Sequence, residues 1–172
     1  NQYLDLSSHV GTIKFNKLIV DITFKINGAS SATLFDVKNS YLQVTYKHTT
    51  GNLEIKAGIS YTGTVSCATN TSHHLIVDYP HTKFTLDGVE QAFTAEISTN
   101  TLTNLWLFAI RTLTSNAGAV SIGAVKIYNN SIVDNNLYFD GVPAIVDNVP
   151  CLYDKKSKDA VVDGGGSDLD AY

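Results

Sequence analysis

The sequence is poor in several residue types that mark particular classes of protein. Its 172 residues contain no methionine, one tryptophan, one arginine, two cysteines and three prolines. No apolar run approaches the ~18 residues of a membrane-spanning helix, and no signal peptide is recognisable, so membrane insertion is not expected. Because the chain begins at Asn1 and lacks methionine, we expect it to be a processed chain or a piece of a longer polypeptide.

Positive charge is also scarce. Twelve basic residues against sixteen acidic ones give a formal net charge of −4. The one basic cluster is the Lys-Lys-Ser-Lys sequence of residues 155–158. Because a nucleic-acid-binding surface normally needs a broad basic patch or stripe, nucleic acid is not an expected partner.

The low cysteine content limits covalent cross-linking. Cys67 and Cys151 could form at most one disulfide bond, and nothing in the sequence shows that they lie close together. Unpaired cysteines commonly serve as small buried apolar side chains. We therefore predict that both cysteines are buried and unpaired.

What the chain has in abundance is alternation of apolar and polar residues with a period of two, which is typical of half-buried β-strands. Residues 17–26 show it most clearly, with Ile19 as the one exception. The apolar residues predicted to share one face of this strand are Leu18, Val20, Ile22, Phe24 and Ile26. Similar strands are predicted over residues 32–37, 41–47, 53–56, 74–79 and 83–86.

Turn and bulge signals divide these strands. Asp87-Gly88 between two strand-like segments predicts a hairpin with a type I′ turn. The apolar parity changes at Gly123-Ala124, which predicts a β-bulge. Residues 102–110 are apolar on both faces, as in an inner strand, and no helix longer than a turn or two is expected. A single all-β domain built as a two-sheet sandwich or jelly roll follows.

The segment that resembles a known family most closely is 121–154, SIGAVKIYNNSIVDNNLYFDGVPAIVDNVPCLYD. It begins as a strand and ends in an apolar, proline-interrupted part that we predict to be an irregular loop packed on the domain. The segment resembles the last third of a laminin-G-like domain of the concanavalin A-like lectin/glucanase superfamily, as found in phage tail and bacterial surface proteins. Earlier segments resemble its other blocks in order, namely NQYLDLSS, SATLFDV, SYLQVTYK, HHLIVDYPHTKFTLDGV and LWLFAIR.

The resemblance has consequences for fold and activity. It implies a two-sheet antiparallel jelly-roll sandwich over residues 1–166, with 167–172 as an acidic tail or linker.

Glucanases of the superfamily carry Glu-x-Asp-x-x-Glu on one strand, because glycoside hydrolysis needs two carboxylates ~5–10 Å apart. The glutamates Glu54, Glu90 and Glu96 do not have that spacing. Adjacent His73 and His74 are expected on opposite faces of a strand, so they cannot share a metal. We predict no enzymatic activity.

Calcium is a further expectation that the resemblance raises, because many laminin-G-like and lectin domains hold a calcium ion in a rim loop. The aspartates at predicted turns are Asp87, Asp140, Asp147 and Asp154. The sequence has neither an EF-hand pattern nor a dense acidic loop. Two interpretations stay open, a calcium site or aspartates that stabilise turns through their side chains, and we favour the second.

A carbohydrate site needs an aromatic platform beside amides or charges. Trp106 alternates with Leu105 and Leu107, which supply the core face, so its ring is expected on the opposite, concave face. The residues predicted to form the site are Trp106, Arg111, Tyr41 and Gln43. The alternative is that Trp106 packs beneath a covering loop such as 142–149.

These observations favour a non-catalytic, lectin-like adhesion module of a larger phage tail, virion or bacterial surface protein. It is expected on the virion or outside the cell, bound to a glycan or cell-surface receptor. The alternative is a structural assembly domain of such a protein, with no glycan ligand, that forms a homo-oligomer. Nine tyrosines and abundant serine, threonine and asparagine suit both interpretations.

Overall fold

The structure, a computed structural model, is almost entirely β-strand. It describes residues 4–10, 13–28, 30–37, 42–58, 60–95, 98–102, 104–107 and 120–161. The strands of the first half are β1 (Leu4–Asp5), β2 (Leu18–Ile26), β3 (Ala32–Val37), β4 (Leu42–Lys47), β5 (Asn52–Ala57), β6 (Ser60–Ser66) and β7 (Ser72–Asp78). Those of the second half are β8 (Lys83–Leu86), β9 (Val89–Ala92), β10 (Leu105–Leu107), β11 (Val120–Asn129), β12 (Leu137–Val146), β13 (Val149–Asp154) and β14 (Asp159–Val161).

The strands form two antiparallel sheets. The six-stranded sheet has the order β1-β10-β3-β4-β5-β6, and the eight-stranded sheet has the order β14-β13-β12-β11-β2-β7-β8-β9. Helical structure in the described residues is confined to α1 (Ser7–Val10) and short 3-10 turns at Phe15–Lys17, Tyr79–His81 and Asp134–Asn136. None of these helices is long and apolar enough to cross a membrane. The predicted two-sheet jelly-roll sandwich is confirmed.

The core lies between the two sheets and follows from strand alternation. All five apolar residues predicted on one face of β2 are at most 1% exposed. They belong to one cluster with Leu42 and Val44 of β4 and Leu53 and Ile55 of β5. Burial of a large aliphatic side chain stabilises a fold by about 1.5–3 kcal/mol, so this shared cluster fixes which face of each sheet points inward.

Local predictions from turn chemistry are also confirmed. Asp87 and Gly88 have φ angles of +50° and +84°, as a type I′ hairpin turn between β8 and β9 requires. The pairing of β11 with β2 shifts register between Ile122 and Ala124, where the parity change predicts a bulge. Positive φ at both central turn residues explains why Gly88 is needed there.

Both cysteines are buried and unpaired, as predicted. Burial raises the pKa of Cys67 to about 11, and the negative charge of Asp87 adds to the increase. Burial likewise raises the pKa of Cys151 above its ordinary value. Because the thiolate is the reactive form of cysteine, neither side chain is prepared for nucleophilic or redox chemistry.

The prediction of an irregular loop over residues 142–149 is wrong. This segment is the tip of a regular hairpin between β12 and β13, turned by Asp147 and Asn148 at φ +53° and +64°. Among the described residues, β12 and β13 pair near the tip only with each other. Pro143 and Pro150 therefore lie in a two-stranded ribbon, which tolerates their missing N–H groups. The tip is also less covered than expected, since Ile145 is 61% exposed and Val149 is 44% exposed.

Candidate functional site

The predicted carbohydrate-binding residues fall on the six-stranded sheet. Trp106 and Gln43 both lie on its outer face, turned away from the eight-stranded sheet, because their neighbours on β10 and β4 belong to the core cluster. Tyr41 and Arg111 lie outside the described residues. The structure therefore brings two of the four predicted residues to one face.

Strand register joins these two residues into a continuous row. Asp5 pairs with Trp106, Trp106 with Asp36, Asp36 with Gln43, and Gln43 with Lys56. We call these five residues the outer row. Neighbouring strands lie ~4.8 Å apart, so the row spans about 19 Å across β1, β10, β3, β4 and β5.

Exposure varies along the outer row. Trp106 is 9% exposed and Asp36 is fully buried, whereas Gln43 and Lys56 are half-buried and Asp5 is exposed. Gln43 Nε2 donates a long hydrogen bond of 3.5 Å to Asp36 Oδ2. The polar ends of the row are accessible and its centre is covered, so the role of Trp106 as a stacking platform stays a prediction.

Three members of the outer row, Asp5, Asp36 and Lys56, are absent from the predicted site. The sequence does carry a sign of Asp36, because it stands between the apolar residues Phe35 and Val37 in an otherwise apolar strand. Its position beside Trp106 depends on the pairing of β3 with β10. Those strands are far apart in the sequence, and alternation alone cannot reveal that pairing.

Asp87 and Asp154 hold the backbone at turns, as predicted, whereas Asp140 lies inside β12 and that prediction is wrong for it. Asp154 is 1% exposed and accepts hydrogen bonds from the backbone N–H groups of Asp140 (2.9 Å), Lys156 (3.0 Å) and Ser157 (3.2 Å) and from Ser157 Oγ (2.7 Å). Asp87 accepts a bond from the backbone N–H of His74 at 2.8 Å. Among the described residues, no three His, Cys, Asp or Glu side chains are grouped so that they could hold a metal ion.

The adjacent histidines separate as predicted, with His73 6% exposed and the His74 side chain 51% exposed. His73 Nδ1 lies 2.6 Å from Asp87 Oδ2, and His73 Nε2 lies 2.8 Å from the backbone oxygen of Ala68. Hydrogen bonding to the two histidines lowers the pKa of Asp87 below its ordinary value, although burial alone would raise it. These contacts attach the β8–β9 turn to β7, so the role of His73, His74 and Asp87 here is structural.

The fold is shared with solved structures of low sequence identity. A protein from Bacteroides ovatus, provisionally described as a carbohydrate binding protein, superposes with a TM-score of 0.70 at 12% identity, over 100% of this chain and 60% of its own. Domains LG4-5 of the mouse laminin alpha1 chain superpose with a TM-score of 0.56 at 16% identity, over 88% of this chain and 44% of theirs. The domain therefore shares the two-sheet jelly-roll sandwich fold of these structures.

Sequence comparison gives no closer relation. No protein-family model matches the chain, and no curated protein sequence does. The chain spans 60% and 44% of the length of the two proteins above. The likeness therefore concerns architecture.

Within this sandwich the two glutamates that the structure describes do not form a pair across a cleft. Glu54 lies on β5 of the six-stranded sheet, 3.7 Å from Lys47 Nζ. Glu90 lies on β9 of the eight-stranded sheet, 2.8 Å from Lys83 Nζ, and the hydrogen bond to Glu90 raises the pKa of Lys83. Glu96 lies outside the described residues. The two described glutamates are thus ion-paired on different sheets.

Proposed function

We propose that the chain is a non-catalytic carbohydrate-binding and adhesion module of a larger phage tail, virion or bacterial surface protein, located on the virion or outside the cell. Its partner is a glycan or a glycan-bearing receptor. The observation that carries this proposal is the outer row, which places an indole, a carboxamide and an ammonium group on one sheet face. The carbohydrate-binding description of the Bacteroides ovatus protein supports the same ligand class.

The outer row suits recognition of sugar hydroxyls more than stacking of whole rings. Gln43 can both donate and accept hydrogen bonds, and Lys56 can donate them. Trp106 is 9% exposed, so little of its indole is accessible on the same face. A site with so little accessible aromatic area has a modest affinity, with a Kd of ~10 µM to ~1 mM.

The carboxylates of the outer row do not make a hydrolase. Asp5 and Asp36 flank Trp106 at two strand spacings, ~10 Å, a separation that a glycosidase pair also has. Asp36, however, is fully buried and cannot reach a glycosidic bond in solvent. Asp5 accepts hydrogen bonds from the Ser7 backbone N–H at 2.9 Å and from Ser7 Oγ. Both carboxylates are therefore engaged in holding the protein itself.

A glycan array followed by calorimetry on the strongest ligand tests the proposal. We expect Gln43→Ala to weaken binding about three- to tenfold, because a sugar loses one or two hydrogen bonds. Trp106→Ala is expected to weaken it further. Thr85→Ala, a half-buried position of β8 in the other sheet, is the matched control and should bind normally. If the wild-type chain binds none of the glycans on the array, the proposal is contradicted.

One observation favours a second function, that of a structural assembly domain. The β12–β13 hairpin tip exposes Ile145 on one face of the ribbon and Val149 on the other, and exposed large apolar side chains are candidates for burial in a protein contact. Under this alternative the same larger protein uses the tip to join sibling chains into a symmetric homo-oligomer.

Size-exclusion chromatography with light scattering tests the assembly function. The expected result is a trimer or another closed oligomer that Ile145→Lys together with Val149→Lys converts to monomer, since buried ammonium groups would oppose the contact. Val89→Lys is the matched control, because Val89 is also 61% exposed but lies on β9. A wild-type monomer at every concentration would count against this function.

A further inference from the structure

A pocket of about 480 Å³ opens where α1 approaches the carboxyl-terminal strands of the eight-stranded sheet. Residues of α1, of β12, of the segment that joins β13 to β14 and of β14 itself line it. They include Ser8, His9, Tyr138, Lys156, Ser157 and Asp159. Pockets of ~300–1,000 Å³ are typical of small-ligand sites, so the size suits one or two sugar rings.

Hydrogen bonds to the Asp154 carboxylate hold part of the pocket wall in place. Asp154 also lines the pocket, and three of its four hydrogen bonds fix the backbone of Lys156 and Ser157 and the Ser157 hydroxyl. Its carboxylate is thereby occupied with the protein. A ligand that binds here meets side chains already in position, which reduces the entropy lost on binding.

Tyr138 supplies an aromatic surface. It is half-buried and packs against the core, and Asn129 Nδ2 donates a 3.4 Å hydrogen bond to its hydroxyl. Lys156 Nζ lies over the ring, 5.3 Å from its centre, and donates to the backbone oxygen of Leu137. An aromatic ring beside a hydrogen-bond donor is the arrangement that binds the C–H face and the hydroxyls of a sugar together.

The charges of the pocket define the kind of ligand. Neither the Lys156 ammonium nor the exposed Asp159 carboxylate forms an ion pair with a described residue. The one hydrogen bond that Asp159 Oδ1 accepts from a described residue is the short-range bond of Ala160 N. Neighbouring hydroxyls of one pyranose can accept from Lys156 and donate to Asp159 at the same time. An anionic sugar would be repelled by Asp154 and Asp159, which outnumber the single ammonium.

We propose that this pocket is a second saccharide site that takes a neutral pyranose. The part of the Tyr138 ring that Lys156 leaves accessible contacts C–H groups of the sugar, and Lys156 and Asp159 bind adjacent hydroxyls. The site lies on the eight-stranded sheet, away from the outer row, and its occupation does not depend on the function proposed for that row. Two sites on different sheets would let one domain bind two branches or two chains of a glycan surface, which increases avidity.

Nuclear magnetic resonance titration of the ¹⁵N-labelled chain tests the pocket. The probes are the methyl pyranosides of glucose, galactose and mannose, with glucuronic acid as the anionic comparison. We expect at least one neutral probe to shift the amide signals of residues 156–159 with a Kd in the millimolar range, ~1–10 mM. Glucuronic acid is expected to bind at least fivefold more weakly.

Matched variants assign the amide shifts to binding in the pocket. Asp159→Asn and Lys156→Met should each reduce the affinity of the neutral probe at least fivefold. Lys155→Met is the control, because Lys155 Nζ pairs with Asp140 Oδ2 at 2.9 Å and Lys155 does not line the pocket. Retained dispersion of the spectra shows that each variant is folded. Gln43→Ala should leave the pocket titration unchanged, so failure of the outer row and failure of the pocket are distinguishable.

Three outcomes would overturn the proposal. The first is that no neutral probe shifts the signals of residues 156–159. The second is that the shifts occur only around the outer row. The third is that glucuronic acid binds as tightly as the neutral probes, which would show that the two carboxylates do not select against negative charge.

Discussion

Gly141→Ala is expected to lower the free energy of unfolding by about 3 kcal/mol, because the core has no room for a methyl group at this position. A Cβ atom there would lie 2.7 Å from Phe139 Cζ and 2.8 Å from Leu152 Cδ2, and closer still to Phe139 Cε1. Phe139 is fully buried and Leu152 is 2% exposed, so neither can swing into solvent. Urea unfolding followed by the fluorescence of Trp106, the single tryptophan, measures the change.

The backbone at Gly141 cannot yield either, because Gly141 pairs with Val125 of β11 on one side and with Asp154 of β13 on the other. A shift that relieved the clash would break both ladders. The structural reason for glycine is therefore close packing within a strand interior.

A double-mutant cycle identifies the clash as the cause. Phe139→Leu removes the ring atoms that the new methyl group would meet, so the combined Gly141→Ala, Phe139→Leu variant should lose at least about 1 kcal/mol less than the sum of the single losses. Gly123→Ala is the control, since its added Cβ would lie 3.3 Å from Thr23 Cγ2 at the exposed bulge. Equal losses for the two glycine variants would contradict this account.

Gly141 also shows where sequence reasoning reaches its limit. In YFDGVPAIV the pair Asp140-Gly141 has the composition of a turn, yet it lies inside β12. The Asp87-Gly88 pair has the same composition and does form a turn. The difference is set by strands that pair with β12 from elsewhere in the chain, and no local pattern contains that information. Short-range features such as the β2 alternation and the bulge near Gly123 were predictable because they depend on neighbouring residues alone.

The candidate site also has features that the sequence predicts and features that it does not predict. Strand parity predicts that Trp106 and Gln43 face away from the core, and the register of β10, β3 and β4 bears this out. Parity does not predict that Trp106 is only 9% exposed or that Asp36 is fully buried, since burial on the outer face depends on what lies over the sheet. The pocket near Tyr138 was not predictable, because α1, β12 and the β13–β14 connection meet only in the folded chain.

The other large effect is expected for Asp154. Asp154→Ala removes an acceptor from three backbone N–H groups and one hydroxyl in a nearly inaccessible place. Buried donors left without partners cost about 1–3 kcal/mol each, and partial relaxation of the turn limits the total loss to about 4 kcal/mol. Asp154→Asn keeps one acceptor oxygen and should lose about 2 kcal/mol. Urea unfolding at neutral pH measures both.

The dependence of this effect on pH separates lost charge from lost packing. Burial on its own would raise the pKa of Asp154, but hydrogen bonds from Asp140, Ser157 and Lys156 outweigh it, so the pKa lies below its ordinary value. A carboxyl group with a depressed pKa in the folded state stabilises the fold above its unfolded pKa of about 4. That contribution disappears as the pH falls through the folded pKa.

The stability difference between the wild type and Asp154→Asn is therefore expected to shrink as the pH is lowered from about 5 to about 2. Asp147→Asn is the matched control, because Asp147 is exposed at a turn with φ +53°, a conformation that asparagine also adopts. Its stability at neutral pH should stay within about 0.5 kcal/mol of the wild type. A difference for Asp154→Asn that stays constant with pH would mean that shape rather than charge holds this turn, and the floor of the Tyr138 pocket would then depend on packing alone.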